Sequence, residues 1–188
     1  MKVSNQQAAA NRERILTEAT KLFREHGFSG VGVDALTQAA GLTHGSLYSH
    51  FGSKDSLMAE ALSHGKAQTA KVPPAIKSID DAVSVYLSAA HRDNPGSGCY
   101  MAALGCDMPR QSKDVRRVFT EIVRTRVKQV AALLLKRPNR NRDDEALATI
   151  ATMVGALTLA RAVDDLEFSE RILAVSRARI LRKRQKKR

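Results

Sequence analysis

At 188 residues, 43% of them hydrophobic, 4% aromatic and none Trp, the chain has material for one large or two small helical domains packed with small and medium aliphatics. Its net charge of +12 is uneven: residues 1–71 carry 8 basic and 6 acidic groups, residues 72–176 carry 15 and 13, and the last twelve, RARILRKRQKKR, carry 8 and none, so charge alone is poor support for nucleic-acid binding by the body of the chain. Two cysteines and the absence of an apolar leader in MKVSNQQAAANRER argue against a disulfide framework and a secretory signal and point to the cytoplasm, while the 15 apolar-rich residues 146–160 are too short for a membrane span.

Taken in order, residues 1–10 read as a polar, frayed start. Asn11 is placed to cap a helix to about His26, with Ile15, Ala19, Leu22 and Phe23 inward and Gly27 as its stop. Val33, Leu36 and Ala40 then recur at helical spacing up to Gly41, which suits a left-handed helix end. Leu42 is an apolar plug, Thr43 can cap the next helix with its hydroxyl, and Leu47 and Phe51 share that helix's inner face. Two short helices around a glycine turn, over residues 32–51, are the helix-turn-helix layout, whose second helix enters the DNA major groove. The outer face of that helix carries His44, Ser46, Ser49 and His50, with Tyr48 at its edge. Gly45 removes bulk at the helix start, where the amides from Thr43 onward suit a phosphate.

The runs RILTEATKLFREHGF, GVDALTQAAGL, HGSLYSHF and SKDSL, in this order and spacing, resemble the DNA-binding domain of the tetracycline-repressor (TetR) family over Arg14 to Leu57. The resemblance implies an all-α protein with a helix-turn-helix DNA-binding domain at 9–69, a ligand-binding and dimerisation domain at 73–182, and here a basic tail at 183–188. It implies DNA-facing roles for Arg14, Val33, Thr43, His44, Gly45, Ser46, Tyr48, Ser49, His50 and Lys54. Thr43, Ser46, Tyr48 and Lys54 would sit on phosphates, and His44, Ser49 and His50 on bases. Arg12 and Arg14 have two open readings, DNA backbone contacts or surface pairs with Glu13 and Glu18. The chain departs from many members at Val31 in place of threonine, Thr37 in place of alanine and His44 in place of lysine. Thr37 would crowd the turn, and His44 removes a fixed positive charge from the DNA face.

Lys54 opens a longer helix through Leu57, Met58, Ala61 and Leu62 to about Ala70, and Pro73-Pro74 marks a domain boundary. Ile79, Val83, Tyr86 and Leu87 define one further helix, closed by the turn-rich RDNPGSG at 92–98. A short helix over Cys99–Asp107 and a long one from Val115 through Leu134 follow, and RPNRNR interrupts at 137–142. Two last helices run over about Asp143–Asp164 and from Phe168 onward. The first is apolar on most of its circumference, which calls for a covering partner. By resemblance, the last two helices of each subunit form a four-helix dimer interface, with Ala151, Val154, Gly155, Leu157, Leu159 and Ile172 as contacts.

No enzyme motif is present. SHGK at 63–66 lacks the companion motifs of penicillin-interacting enzymes, and the histidines and cysteines show no zinc spacing, so neither metal nor cofactor is expected. Cys99 and Cys106 on one helix would be separated by about 10.5 Å of rise, too far to bridge. Buried small hydrophobe and, for Cys99, electrophile-sensing thiol both stay open. Tyr86, Cys99, Tyr100, Met101, Met108 and Phe119 are candidate lining for an effector pocket, with core packing as the plain alternative. The expected function is a ligand-released transcriptional repressor that binds a palindromic double-stranded operator as a homodimer. Its rivals are a thiol-sensing repressor acting through Cys99 and a less specific nucleic-acid binder relying on the basic tail, which otherwise reads as a solvated end.

Overall fold

The computed structural model describes residues 4–69, 76–134 and 142–185, with side chains placed for 4–67, 76–134 and 142–181. The expected boundary at Pro73-Pro74, residues 137–141 of the RPNRNR interruption and the end of the basic tail lie outside the described residues. All regular structure among the described residues is helical, and the chain divides into two compact units.

The first unit comprises residues 1–71 with 103–120. Its opening helix α1 (Asn5–His26) starts six residues before the expected cap at Asn11, because the Ser4 hydroxyl accepts the Gln7 amide at 3.1 Å and extends the helix through the alanine run. It ends as expected at Gly27, whose φ of 73° lies in the left-handed region. Helices α2 (Val33–Ala39), α3 (His44–Phe51) and α4 (Lys54–Thr69) follow. Ile15, Ala19 and Phe23 of α1 are buried with Leu36 of α2, Leu47 and Phe51 of α3, and Leu57 and Leu62 of α4. Phe23 meets Phe28 edge-on, with ring centroids 4.9 Å apart.

The second unit comprises residues 72–102 with 121–188. The single helix expected from Ile79 onward is two, α5 (Ile79–Tyr86) and α6 (Ala89–Asp93). The break is local chemistry: Leu87 leaves helical geometry with ψ 54°, and the Ser88 hydroxyl caps α6 by accepting the His91 amide at 3.2 Å. The helix expected over Cys99–Asp107 is a shorter α7 (Tyr100–Leu104), followed by a 3₁₀ turn over Met108–Arg110. Both α7 and α8 (Lys113–Leu133) are shared between the two units, and residues 103–120, assigned from the sequence to the second domain, pack with the first unit.

Helices α9 (Arg142–Ala162) and α10 (Leu166–Gln185) form a tightly joined pair. Ile150, Met153 and Leu157 of α9 and Leu173 and Ile180 of α10 are buried, and the Ser169 hydroxyl donates to the Ala160 carbonyl at 2.6 Å beside the joint. Among the described residues, α9 is the one helix long and apolar enough by length and composition to cross a membrane. It nevertheless carries Asp143, Asp144 and Glu145 in its first turn and Arg161 in its last, and it packs along α10.

Candidate nucleic-acid interface

The turn between α2 and α3 is built by backbone hydrogen bonds around Gly41. The Leu42 amide donates to the Thr37 carbonyl at 2.8 Å, and Gly41 adopts φ 62°. Thr37, expected to crowd this turn, is accommodated: its buried hydroxyl donates back to Val33 and Asp34, both at 3.1 Å. Leu47 and Phe51 turn inward as the pattern predicts, which leaves the opposite side of α3 to solvent.

On that open side, His44, Gly45, Tyr48 and Ser49 are exposed, while Ser46 and His50 are half-buried. Thr43 occupies the cap position in extended geometry, but its hydroxyl makes no capping bond, contrary to expectation. The first amides of α3 and an unengaged threonine hydroxyl are therefore presented together, a combination suited to a phosphate oxygen. A side chain at Gly45 would meet nothing within 4 Å, so the approach to the helix start is open.

His44 is held in place by its neighbours. Its Nδ1 lies 2.8 Å from Asp34 Oδ1, and its ring stacks on Tyr48 with centroids 5.6 Å apart and planes 15° from parallel. Ser49 donates its hydroxyl to the Ser46 carbonyl at 2.8 Å, and His50 stands edge-on to Phe51 with centroids 6.2 Å apart. Val33 is half-buried at the first position of α2.

The cations expected on DNA are largely occupied within the unit. Arg14 Nε donates to the Ala40 carbonyl at 3.1 Å and Nη2 reaches the Gly41 carbonyl at 3.3 Å, so this side chain clamps the turn. Lys54 donates to the carbonyls of Phe28 at 2.9 Å and Val31 at 2.6 Å, tying the loop after α1 to the start of α4. Arg12 pairs with Glu60 and lies over the Phe51 ring, while Glu13 meets His64 rather than an arginine. The expected pairing of Arg12 and Arg14 with Glu13 and Glu18 is not formed. These roles were illegible because each partner is a backbone carbonyl or a side chain tens of residues away.

The six candidate effector-pocket residues are divided between the two units. Tyr86, Cys99, Tyr100 and Met101 belong to the second, whereas Met108 and Phe119 belong to the first. Tyr100, Met101 and Met108 are buried. A recess of about 110 Å³ in the second unit is lined by Ile79, Leu134, Glu145, Thr149, Arg179 and Ile180 among others and includes none of the six. Of the expected dimer contacts, Ala151, Gly155 and Leu159 are exposed, Val154 and Ile172 are half-buried, and Leu157 is fully buried within its own unit. Among the described residues, no group of three or more histidines, cysteines and carboxylates could hold a metal ion.

The family model described as "Bacterial regulatory proteins, tetR family" matches residues 15–61, which span α1 from its middle, the helix-turn-helix and half of α4. The chain is 42% identical over 57 residues to the HTH-type transcriptional regulator LmrA of Bacillus subtilis, covering 30% of each. It is 28% identical over 123 residues to the repressor DhaR of a Mycobacterium species, covering 60% of this chain and 58% of that one. The chain thus spans 30% to 58% of the length of these two relatives. Its fold matches reduced Escherichia coli NemR with a TM-score of 0.76 at 20% identity, covering 91% of this chain and 95% of that one. A TetR transcriptional regulator from Legionella pneumophila matches with the same score and identity, covering 97% and 99%. Residues 15–61 thus match the tetR family of bacterial regulatory proteins, and the whole chain shares the fold of these solved regulators.

Proposed function

We propose that the chain is a sequence-specific, DNA-binding transcriptional repressor that acts as a homodimer in the cytoplasm and is released from its operator by a small molecule, with no catalytic activity of its own. The observation that carries this reading is the exposed side of α3, where the first amides, Thr43, Gly45 and Tyr48 stand clear of a helix anchored by buried Leu47 and Phe51. Thr43, Ser46 and Tyr48 are assigned to phosphates and His44, Ser49 and His50 to bases, whereas Arg14 and Lys54 support DNA binding by bracing the head. Dimerisation is supported by apolar surface left on α9 and α10: Leu147, Leu159, Phe168 and Val175 are each about half exposed or more, and Ala151 and Gly155 allow close approach. Release would follow from an effector that binds best to the conformation in which the two heads are wrongly spaced, typically worth ~1–3 kcal/mol of coupling.

Selection of bound sequences from a random duplex pool tests the reading. The expected result is a palindrome with half-sites about 34–36 Å apart, bound by two chains. Binding without sequence preference, or binding abolished by deleting residues 177–188, overturns it. The comparisons favour neither a thiol-sensing repressor through Cys99 nor a tail-driven nucleic-acid binder.

A further inference from the structure

A corner of the second unit holds more positive charge and more unpaired hydrogen-bonding capacity than its packing requires. Arg161, near the end of α9, donates from Nε to the Arg92 carbonyl at 3.0 Å and from Nη2 to the His91 carbonyl at 2.6 Å. Its Nη1 is buried without a hydrogen-bond partner. The Tyr86 hydroxyl, at the end of α5, is buried without one as well. Cys99 is its polar neighbour, and a thiol is a weak partner. A buried polar hydrogen left unpaired pays its desolvation cost with no return, so two in one cluster call for an explanation.

His91 connects the two. Its carbonyl takes Arg161, and its ring stands edge-on to Tyr86 with centroids 4.6 Å apart. Its Nε2 accepts the Cys99 amide at 3.1 Å, which leaves Nδ1 as the protonated nitrogen, donating to the Tyr86 carbonyl at 2.8 Å. The imidazole is therefore neutral and supplies no further charge.

Among the described residues Arg161 forms no ion pair. Asp93 is the carboxylate whose field reaches Arg161, but both its oxygens are engaged by Arg92, at 2.6 and 3.2 Å. Arg126 on α8 is a second guanidinium whose field reaches Tyr86 and His91, and among the described residues it forms no ion pair. Burial lowers the Arg161 pKa and raises that of Tyr86, the direction expected where no partner stabilises a charge.

We propose that Tyr86, Arg126 and Arg161 form the recognition end of a binding site for a small organic anion, whose carboxylate takes the hydrogens of the Tyr86 hydroxyl and of Arg161 Nη1. Resting on the reading of the chain as a ligand-released regulator, the proposal names the chemistry of its effector. Because both groups are closed to solvent, the anion binds an opened state and raises its population. The opening has a defined neighbour: a Cβ at Gly98 would lie 2.9 Å from His91 Nε2 and 3.1 Å from Arg161 Nη2, so the backbone leading into α7 is packed directly on this corner. Admitting an anion displaces Gly98 and Cys99, and with them the start of α7.

The test uses the full chain and four probes at matched ionic strength: benzoate, hexanoate, inorganic phosphate and, as neutral control, benzamide. Benzoate or hexanoate should raise the melting temperature saturably while benzamide does not. Tyr86→Phe should melt close to the parent without ligand, since the hydroxyl it deletes has only the Cys99 thiol, a weak partner, beside it, yet bind the carboxylate at least tenfold more weakly; Arg126→Gln should weaken binding similarly. The proposal is overturned if neither carboxylate stabilises the chain, if phosphate alone does, if Tyr86→Phe responds like the parent, or if Tyr86→Phe alone melts well below it. Duplex binding is scored separately. A carboxylate response in a chain that binds no DNA would sink the regulator reading and leave the site standing, and DNA binding without any carboxylate response would do the reverse.

Discussion

The Asp107 carboxylate accepts the Phe28 backbone N–H at 3.1 Å, joining residues 79 apart in sequence at the turn that ends α1. The fit is close: a Cβ on Gly27, already at φ 73°, would sit 2.8 Å from Asp107 Oδ2. Asp107 also pairs with Arg110 at 3.1 Å, and both belong to the segment 103–120 that closes the first unit. A hydrogen bond of this charged kind contributes roughly 1.5–3 kcal/mol. Asp107→Ala should therefore lower the melting temperature by several degrees and speed exchange of the Phe28 amide, and Asp107→Asn, which keeps an acceptor oxygen, should restore most of both. Unchanged Phe28 exchange in Asp107→Ala would remove this carboxylate as a brace of the head.

Arg14 yields a prediction that separates bracing from DNA contact. A phosphate-binding arginine contributes to the salt dependence of binding, and losing it makes the slope of log K against log salt shallower by about one. Arg14 instead holds the Ala40 and Gly41 carbonyls. Arg14→Ala should weaken operator binding by about tenfold, from a loss on the order of 1–2 kcal/mol in the turn, with the slope unchanged. Lys54→Met should behave alike, because its ammonium is held by Phe28 and Val31. A shallower slope in either variant would return that residue to the phosphate backbone.

The second unit should weaken in mild acid. Burial, the largest cause, holds the His91 pKa below its ordinary 6.5, assisted by Arg161 and Arg126, while the hydrogen bond to the Tyr86 carbonyl opposes it. A lowered folded pKa means that the unfolded chain takes up the proton first as pH falls. This contribution is complete above pH 6.5 and is lost as pH drops through that value toward the folded pKa. Protonating Nε2 also removes the acceptor of the Cys99 amide. Melting temperature should fall from pH 7.5 to pH 5.5, and His91→Gln, less stable at pH 7.5, should show a flatter profile; an equal slope in both would exclude His91 as the titrating group.

What the sequence disclosed and what it withheld divide along a physical line. Gly27, Gly41, Leu47 and Phe51 were readable because local rules decide them: a positive φ falls to glycine, and a helix buries residues four apart. The division between α5 and α6 was not, since Ile79, Val83 and Leu87 keep helical spacing right up to the break and only the Ser88 cap reveals it. The contacts of Arg14, Lys54 and Asp107 within the head were missed for another reason. A charged side chain that bonds to a distant main-chain group leaves no periodic trace, so the bonds of Arg14 to the turn and of Lys54 to the loop could not be read beside the DNA-facing roles that resemblance implies. The same reason hid His91 and Arg161, whose partners are carbonyls and amides.

The apolar remainder of α9 and α10 gives the sharpest test of assembly, because neighbouring leucines should fail in different ways. Leu157 is fully buried in its own subunit, whereas Leu159, two residues on and rotated well around the helix, is 58% exposed. A carboxylate at Leu157 has no partner in the core and should unfold the subunit. A carboxylate at Leu159 is solvated in the monomer and desolvated only against a second copy, so Leu159→Glu should keep the helical circular dichroism while weakening dimerisation by at least about tenfold, on the order of 1.4 kcal/mol or more. Gly155 adds a steric version: it is exposed, and a Cβ there meets nothing within 4 Å in the monomer, so Gly155→Leu should fold yet separate the pair if two helices approach closely at this point. Sedimentation equilibrium reads both. Leu159→Glu and Gly155→Leu that remain dimeric at the parent's concentration would show that copies of the chain meet elsewhere, and the spacing of their reading heads on a palindrome would have to be set by another surface.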